Sequence, residues 1–352
     1  MSRKATVVDD QAVTAEVRGN IVRLVFGHMA AQVVGTAVRF RLPDLIGDRE
    51  RTAAELAEEC GTQPQAMTRL LRAMAALELL AENRPGHFSL AAGGMLLRTD
   101  RPDSLHALAG MFTDPAMLQS WQRLESSVRT GETAFDQEFG TDFFDYLKTR
   151  PELSALFNAA MSQGAQLTAS VTPASYDFGR FDTVVDIGGG DGTLISAILR
   201  EYPALNGILF DTAEGLAQAE QTLRSAEVTE RCAVRAGDFF ASVPEGGDLY
   251  LLKSVIHDWD DERAASILGH CRRVIPEHGR LLIVEPVLPE AVDGSNPAIM
   301  YLSDLNMLVN LGGRERTRGD FEELYRRAGF ELTSVTPLPP PAGFCLVEAK
   351  PS

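Results

Sequence analysis

The stretch Thr183-Val184-Val185-Asp186-Ile187-Gly188-Gly189-Gly190-Asp191-Gly192-Thr193, continued by Leu194-Ile195-Ser196-Ala197-Ile198-Leu199-Arg200, decides the fold. β-favouring residues lead into a cluster of glycines, and an apolar run of helical spacing leaves it. The order is strand, tight turn, helix. Glycine is needed where the backbone takes positive φ or lies directly against a ligand. The helix start beyond the turn offers free N–H groups to something polar or anionic. A dinucleotide fingerprint would read G-x-G-x-x-G. Here Gly188, Gly190 and Gly192 alternate, Thr193 stands where the third glycine would fall, and Asp186 lies inside the strand. A carboxylate there repels a pyrophosphate and suits a ligand carrying an ammonium group. Taken alone, the turn also fits an ordinary βα connection without a ligand.

Downstream of residue 181, strand and helix patterns alternate. Strands are expected at 183–187, 207–211, 232–236, 248–254 and 280–286. Helices are expected near 193–201, 213–224, 261–275, 298–309 and 318–328. That alternation gives a doubly wound, parallel α/β sheet. Two last strands, near 331–336 and 344–349, flank a proline-rich stretch and are expected to form a hairpin that adds an antiparallel edge strand.

Upstream the pattern is helical, so two domains are expected, 1–172 and 173–352. Residues 11–40 repeat Val13, Val17, Ile21, Leu24, Val25, Val33, Val34 and Val38 at helical spacing, with Gly27, Ala30, Ala31, Gly35 and Ala37 permitting close helix approach. So apolar a helix near a terminus needs cover, from a second subunit or from its own domain. Thr52 and Glu55 form a capping box for a helix at 53–59. Thr62 is expected to cap a second helix at 64–80, with Pro64 in its first turn. A short strand follows at 88–90. This is a helix-turn-helix with a wing, so a ligand-responsive DNA-binding regulator is one reading. A recognition helix needs several outward basic or amide side chains. Gln63, Gln65, Arg69 and Arg72 are all this one offers, and a packing or dimer role is favoured. Between 104 and 170, Phe135, Phe139, Phe143, Phe144, Tyr146, Phe157 and Met161 read as core or as the wall of an apolar pocket.

Composition narrows the classes. Of 352 residues, 45% are hydrophobic and 23% charged, as in an ordinary globular protein. The formal net charge of −16 argues against nucleic acid as a partner. Cys60, Cys232, Cys271 and Cys345 are scattered without metal spacing, which fits reduced thiols. The polar N-terminus lacks a signal-peptide core. The longest uncharged apolar run, 24–38, falls short of the ~20 residues of a membrane span. A soluble, cytoplasmic protein without a membrane partner is expected.

In an open α/β sheet, ligands sit beyond the carboxyl ends of the strands. The expected strand ends carry Gly188, Asp211, the Gly237-Asp238-Phe239 turn, Lys253-Ser254 followed by His257-Asp258-Trp259, and Glu285. A carboxylate about twenty residues beyond the glycines suits the two hydroxyls of a ribose. Asp238 beside Phe239 suits an adenine amino group and ring face. Four acidic residues and a glycine turn at consecutive strand ends point to a nucleoside ligand without phosphate. His257 also fits a histidine satisfied by backbone at a helix start. Asp258, Asp260 and Asp261 read as helix caps rather than as metal ligands.

Four segments carry a family resemblance: residues 185–192 (Val-Asp-Ile-Gly-Gly-Gly-Asp-Gly), 237–240 (Gly-Asp-Phe-Phe), 252–259 (Leu-Lys-Ser-Val-Ile-His-Asp-Trp) and 312–317 (Gly-Gly-Arg-Glu-Arg-Thr). In this order they resemble the S-adenosylmethionine-dependent O-methyltransferases of the caffeic acid and carminomycin (anthracycline) type, over nearly the whole chain. The resemblance implies a Rossmann-like methyltransferase sheet with an N-terminal all-α winged-helix dimerisation domain, a homodimer through the N-terminal helices, and S-adenosyl-L-methionine as cofactor, with S-adenosyl-L-homocysteine as product and no metal. By that resemblance Asp186, Gly188, Gly189 and Gly190 lie under the methionine part, Asp211 holds the ribose, and Asp238, Phe239 and Trp259 frame the adenine. Lys253 and Ser254 also contact the cofactor. His257 matches the base, with Glu285 and Glu315 holding and polarising it. Phe157, Met161 and Asp258, with Asp304, Asn306 and Asn310 on one helix, fall around the acceptor pocket.

The residue types suit the implied chemistry. A phenol with pKa near ~10 is a poor nucleophile until deprotonated. Histidine can take that proton near neutral pH, with a carboxylate on its other nitrogen fixing the tautomer. The expectation is methyl transfer to a phenolic hydroxyl of a small aromatic acceptor. The competing enzyme reading is a relative that binds the same cofactor but hydroxylates or decarboxylates an aromatic polyketide.

Overall fold

The computed structural model describes residues 14–292, 294 and 297–352. Val13 and the polar residues 1–6 discussed above lie outside the described residues. Two compact units divide the chain, one up to Thr113 and one from Asp114. The helices between 115 and 175 therefore belong with the sheet. The expected boundary at 172/173 falls instead inside the last turn of helix Pro151–Ser175, ahead of the strand Thr183–Ile187.

In the first unit, the helical run of 11–40 breaks at Phe26 into Ala15–Val25 and Gly27–Arg39. The second of these packs closely where it is smallest: a Cβ on Gly35 would fall 2.4 Å from the Thr113 hydroxyl. The first has no buried residue, and Ile21, Val22, Leu24 and Val25 are all exposed. Among the described residues no single helix is long and apolar enough to cross a membrane. Only the two helices Ala15–Val25 and Gly27–Arg39, bent by 45°, pass that test of length and composition jointly.

The helix-turn-helix with its wing is present: helices Ala53–Glu59 and Pro64–Ala76 with strands β1 (Arg51–Thr52), β2 (Leu80–Arg84) and β3 (His87–Leu90) in the antiparallel order β1-β3-β2. The unit is thus not wholly α-helical. Thr52 makes both bonds of its capping box with Glu55. Thr62 does not cap: Gln63 is the N-cap, without a side-chain bond, and the Thr62 hydroxyl is buried without a partner. The second helix stops at Ala76, four residues early, because Glu78 takes a left-handed conformation (φ 60°) that closes it. Arg72 lies against Glu82 of the wing at 3.4 Å.

In the second unit, short helices lead into the long helix Pro151–Ser175 and then the sheet. Its strands are β4 (Thr183–Ile187), β5 (Asn206–Asp211), β6 (Cys232–Ala236), β7 (Leu249–Lys253) and β8 (Arg280–Glu285). A two-residue parallel ribbon joins β9 (Val287–Leu288) to β10 (Arg316–Thr317). The chain ends in β11 (Phe330–Pro337) and β12 (Cys345–Pro351). The order is β11-β12-β8-β7-β4-β5-β6. Strands β4 to β8 pair in parallel. The hairpin forms, but its antiparallel member β12 is inserted between β8 and β11 and does not lie at the edge.

Successive strand residues point to opposite faces, and both faces are covered. Val184, Leu209, Leu251 and Leu282 pack with Ile195, Ile198 and Leu199 of helix Thr193–Glu201. Val185, Ile208, Leu252 and Ile283 pack on the other side with Ile267, Leu268, Phe321 and Tyr325. Burial on both faces is what an all-parallel core requires. The chain leaves β4 for β5 on one side and returns to β7 on the other, so the strand order reverses beside the glycine turn, the position where a ligand crevice forms.

Candidate active site

The turn after β4 needs its glycines. Gly188, Gly190 and Gly192 have φ of +67°, +57° and +80°, a region that side chains other than glycine rarely adopt. A Cβ on Gly189 would lie 2.5 Å from Leu209 and 2.7 Å from the Asp186 carboxylate. The Gly190 N–H donates to Asp211 Oδ2 at 2.8 Å, and the Thr212 N–H donates to Oδ1 at 2.6 Å, so the carboxylate at the end of β5 ties down the turn. Ionised oxygens accept more than one bond, so Asp211 keeps capacity for further donors. Asp186 is buried and one of its oxygens has no partner among the described residues. Burial, reinforced by Asp211, pushes its pKa up to about 7, although Lys253 pulls the other way. Lys253, at the end of β7, has its own pKa lowered by burial against the pull of Asp186 and Asp258.

The next strand ends supply an aromatic corner. Asp238 is exposed and its Oδ1 accepts the Phe240 N–H at 2.8 Å. Phe239 and Phe240 meet the Trp259 ring edge-on at 6.1 and 4.8 Å. Arg263 covers the Trp259 ring at 4.1 Å. The buried Trp259 Nε1 has no partner among the described residues. Ser254 turns the chain out of β7 in a left-handed conformation, φ 53°, which costs a non-glycine residue roughly 1–2 kcal/mol.

The segment that carries His257 is held from three sides. Glu285, at the end of β8, accepts the N–H groups of Val255, Ile256 and His257 on one oxygen, at 3.1, 2.7 and 3.1 Å. It therefore fixes the one-turn helix Ile256–Asp258 by its backbone and does not touch the imidazole, which narrows the role expected from the sequence. Glu315 takes the ring: His257 Nδ1 and Glu315 Oε1 are 3.0 Å apart, and the Glu315 side chain is fully buried. The ribbon of β9 and β10 makes this possible, because Val287 pairs with Arg316 and so brings the residues after β8 beside Glu315. Arg316, with its side chain fully buried, completes the clamp. It donates to the carbonyls of Ile256 (2.9 Å) and Trp259 (3.0 Å) and to Asp261 Oδ1 (2.8 Å). Asp260 caps helix Asp261–Val274, so both acids are occupied. Among the described residues no group of three or more His, Cys, Asp or Glu is placed to hold a metal.

Burial alone would lower the pKa of His257. The surrounding carboxylates of Asp258, Glu315 and Glu285 outweigh it and lift the ring to about 9. Asp258 lies 3.4 Å from Nε2, and burial raises its own carboxyl to about 7 against the pull of His257.

On the expected acceptor side, Phe157 meets Phe143 and Phe144 at 5.4 and 6.0 Å, and Phe144 reaches Trp259 at 5.2 Å. A continuous row of rings thus joins the long helix to the aromatic corner. Met161 is half-buried one helical turn beyond Phe157. The same helix is lashed across the glycine turn by Ser162, which donates to Asp191 at 2.7 Å. Asn306 accepts from Trp121 Nε1 (3.0 Å) and Asn310 (2.9 Å), while the Asn310 oxygen is buried without a partner. Asp304 is differently employed: its Oδ1 accepts the Glu315 N–H at 2.9 Å. It also walls a cavity of about 400 Å³ together with Asp260, Asp261, Leu305, Leu308 and Arg314.

Arg316, Ser303 and Trp121 were not singled out in the sequence. Arg316 had one signal, its place beside Glu315 in the 312–317 motif, but a two-residue strand gives no periodicity to show whether Arg314 or Arg316 turns inward. Gly313 is required by contact: its Cβ would lie 2.0 Å from the His257 carbonyl oxygen.

Two variants test this geometry. Gly313→Ala must displace the 257–259 backbone and is expected to reduce turnover on the order of 100-fold, as small misplacements of reacting groups do; kinetics at saturating substrate measure it. Asp186 has a raised pKa in the folded state, so its ionisation destabilises the fold as pH climbs from the unfolded value near ~4 to about 7. Asp186→Asn should therefore raise the melting temperature of the ligand-free protein above pH 7, by the equivalent of about 1–3 kcal/mol. The gain should fade towards pH 4, and a gain independent of pH would contradict the assignment.

Comparison with known proteins gives the family. An O-methyltransferase domain matches residues 121–331, and an O-methyltransferase dimerisation domain matches residues 22–100. The chain is 49% identical over 337 residues to the O-demethylpuromycin-O-methyltransferase of Streptomyces alboniger, covering 94% of this chain and 88% of that one. It is 40% identical over 331 residues to the phenazine O-methyltransferase PhzM of Lysobacter antibioticus, covering 94% and 95%. The crystal structure of the O-methyltransferase NcsB1 from neocarzinostatin biosynthesis, in complex with S-adenosylmethionine and 2-hydroxy-5-methyl naphthoic acid, superposes with a TM-score of 0.79. It is 30% identical and the match covers 99% of this chain and 100% of that one. The glycine turn, the carboxylate-held histidine and these matches lead to one conclusion: the chain belongs to the family of S-adenosylmethionine-dependent O-methyltransferases.

Proposed function

We propose that this protein methylates a phenolic hydroxyl of an aromatic natural product, with His257 as general base. The observation that carries the reading is the 3.0 Å contact between His257 Nδ1 and the buried Glu315 carboxylate at the carboxyl ends of the strands. The phenazine O-methyltransferase is named for an aromatic compound, and the NcsB1 structure is a complex with S-adenosylmethionine and an aromatic acid.

The residues present fit the cofactor. Asp186 offers a buried carboxylate oxygen without a partner, suited to a cation, and Trp259 offers an unpaired buried N–H. Three positive-φ glycines leave the turn open to close approach. In this reading Asp186 and the glycine turn hold the methionine end, Asp211 the ribose, and Asp238, Phe239 and Trp259 the adenine, with Lys253 and Ser254 beside them. When bound, S-adenosylmethionine supplies an electrophilic methyl carbon.

The remaining work falls to the protein. Glu315 takes the Nδ1–H of His257, which leaves the Nε2 lone pair to receive the acceptor's proton. The raised pKa of the ring narrows its gap to a phenol near ~10. It also means that the free enzyme carries the imidazolium at neutral pH, so base catalysis must grow as pH rises. Phe157, Met161 and Asn310 form the acceptor side, and the orphaned Asn310 oxygen favours acceptors carrying a donor group.

kcat/KM for a phenolic acceptor is expected to climb with pH and level off above about 9. His257→Ala should remove that limb and lower kcat by ~10²–10⁴-fold with cofactor affinity nearly intact. Glu315→Gln takes a negative charge from the ring, so the limb should move to lower pH while kcat falls. Wild-type turnover in His257→Ala would end the base assignment, and product mass without an added methylene would end methyl transfer.

The N-terminal unit completes the proposal as a homodimer. Among the described residues, helix Ala15–Val25 has no buried member, and Leu24 is 72% exposed, within the region that matches the dimerisation domain from residue 22. Leu24→Glu combined with Ile21→Glu should shift light-scattering mass from dimer to monomer. A dimer that survives both charges would place the interface elsewhere.

A further inference from the structure

We propose that Ser303 is a positioning residue for the base: its hydroxyl binds the same Glu315 oxygen that holds the His257 ring, and so sets the tautomer and basicity of that ring. This role rests on His257 being the base.

Ser303 Oγ donates to Glu315 Oε1 at 2.9 Å, and His257 Nδ1 meets the same oxygen at 3.0 Å. The other oxygen, Oε2, is buried without a partner among the described residues. All side-chain hydrogen bonding of this enclosed carboxylate therefore passes through one atom. A carboxylate only accepts, so Ser303 must donate, and the ring must present Nδ1–H. When the ring loses its proton, the lone pair is left on Nε2. The neighbouring Asp304 accepts the Glu315 backbone N–H at 2.9 Å. Two successive residues of helix Ala298–Asn310 thus hold Glu315, one by its side chain and one by its main chain. Asn306 and Asn310 follow Ser303 at i+3 and i+7, on one stripe of that helix. The helix that presents them to the acceptor side also positions the base.

The sign of the effect follows from charge. The Ser303 bond draws charge away from Oε1 and weakens its hold on the imidazolium. Without it, the carboxylate holds the protonated ring more tightly. Asp258, Glu285, Lys253, Asp304 and Arg316 also surround the pair, and Ser303→Ala leaves each of these side chains in the sequence.

The test follows the His257 ring by NMR titration in the full-length, ligand-free protein, alongside the pH profile of kcat/KM for a phenolic acceptor. Ser303→Ala should move the titration midpoint to higher pH. A shift of about one unit would read as a roughly tenfold loss of kcat/KM below the midpoint, and the deficit should close as pH rises past it. Ser303→Thr keeps the hydroxyl and should restore both. An unmoved midpoint and profile in Ser303→Ala, with or without a lower melting temperature, overturns the role and leaves Ser303 a packing residue. If His257→Ala retains full turnover, the base assignment falls and this role falls with it. If His257→Ala is inactive while Ser303→Ala is unmoved, only the Ser303 role fails.

Discussion

A single carboxylate oxygen, Oε1 of Glu285, receives three consecutive backbone N–H groups from residues 255–257. Those donors open a one-turn helix that has no preceding turn to satisfy them. Left unpaired in the core, each would cost roughly 1–3 kcal/mol. With Glu285 in place the segment has one conformation, and that conformation sends His257 and Trp259 from the same short turn. Arg316 closes the other end by taking the carbonyls of Ile256 and Trp259. A buried anion and a buried cation thus grip opposite poles of one loop, and breaking either would leave an uncompensated charge in the core.

The strand ends are strongly acidic, and this has an energetic consequence. Asp186, Asp258 and Glu285 are all pushed towards their neutral forms, with burial the largest cause in each case. The protein therefore stores unfavourable negative potential where a cationic ligand is proposed to sit. Sites arranged this way trade stability for binding. The same field raises His257, so the acidity that favours a sulfonium also strengthens the base.

The residues proposed to face ribose, adenine and methionine stand out in the sequence because each follows a strand whose end is marked locally. A glycine cluster after β4 and an acid closing β5 need no knowledge of the rest of the chain. Local marks also misled. Thr62 has the chemistry of a cap, yet Gln63 occupies that position. A helix usually ends on glycine, whereas here Glu78 adopts the left-handed conformation, and no sequence pattern announces it. The helices of 115–175 read as part of an N-terminal domain because helix and strand patterns differ, but they fall in one compact unit with the sheet.

The sequence by itself determined the doubly wound sheet and the placing of its crevice, since strand periodicity and glycine turns are local properties, while the grouping of His257 with Glu285 and Glu315 came from the resemblance of its motifs. Only the tertiary structure decided which acid does what. Glu285 holds backbone, Glu315 holds the ring, and Asp304 holds Glu315. It also placed β12 between β8 and β11 and turned Arg316 inward. The reason is physical: these contacts join atoms about 10 to 60 residues apart, and their geometry is set by the register of the β9–β10 ribbon and the close passage of Gly313 over the His257 backbone. Spacing along the chain carries no record of either.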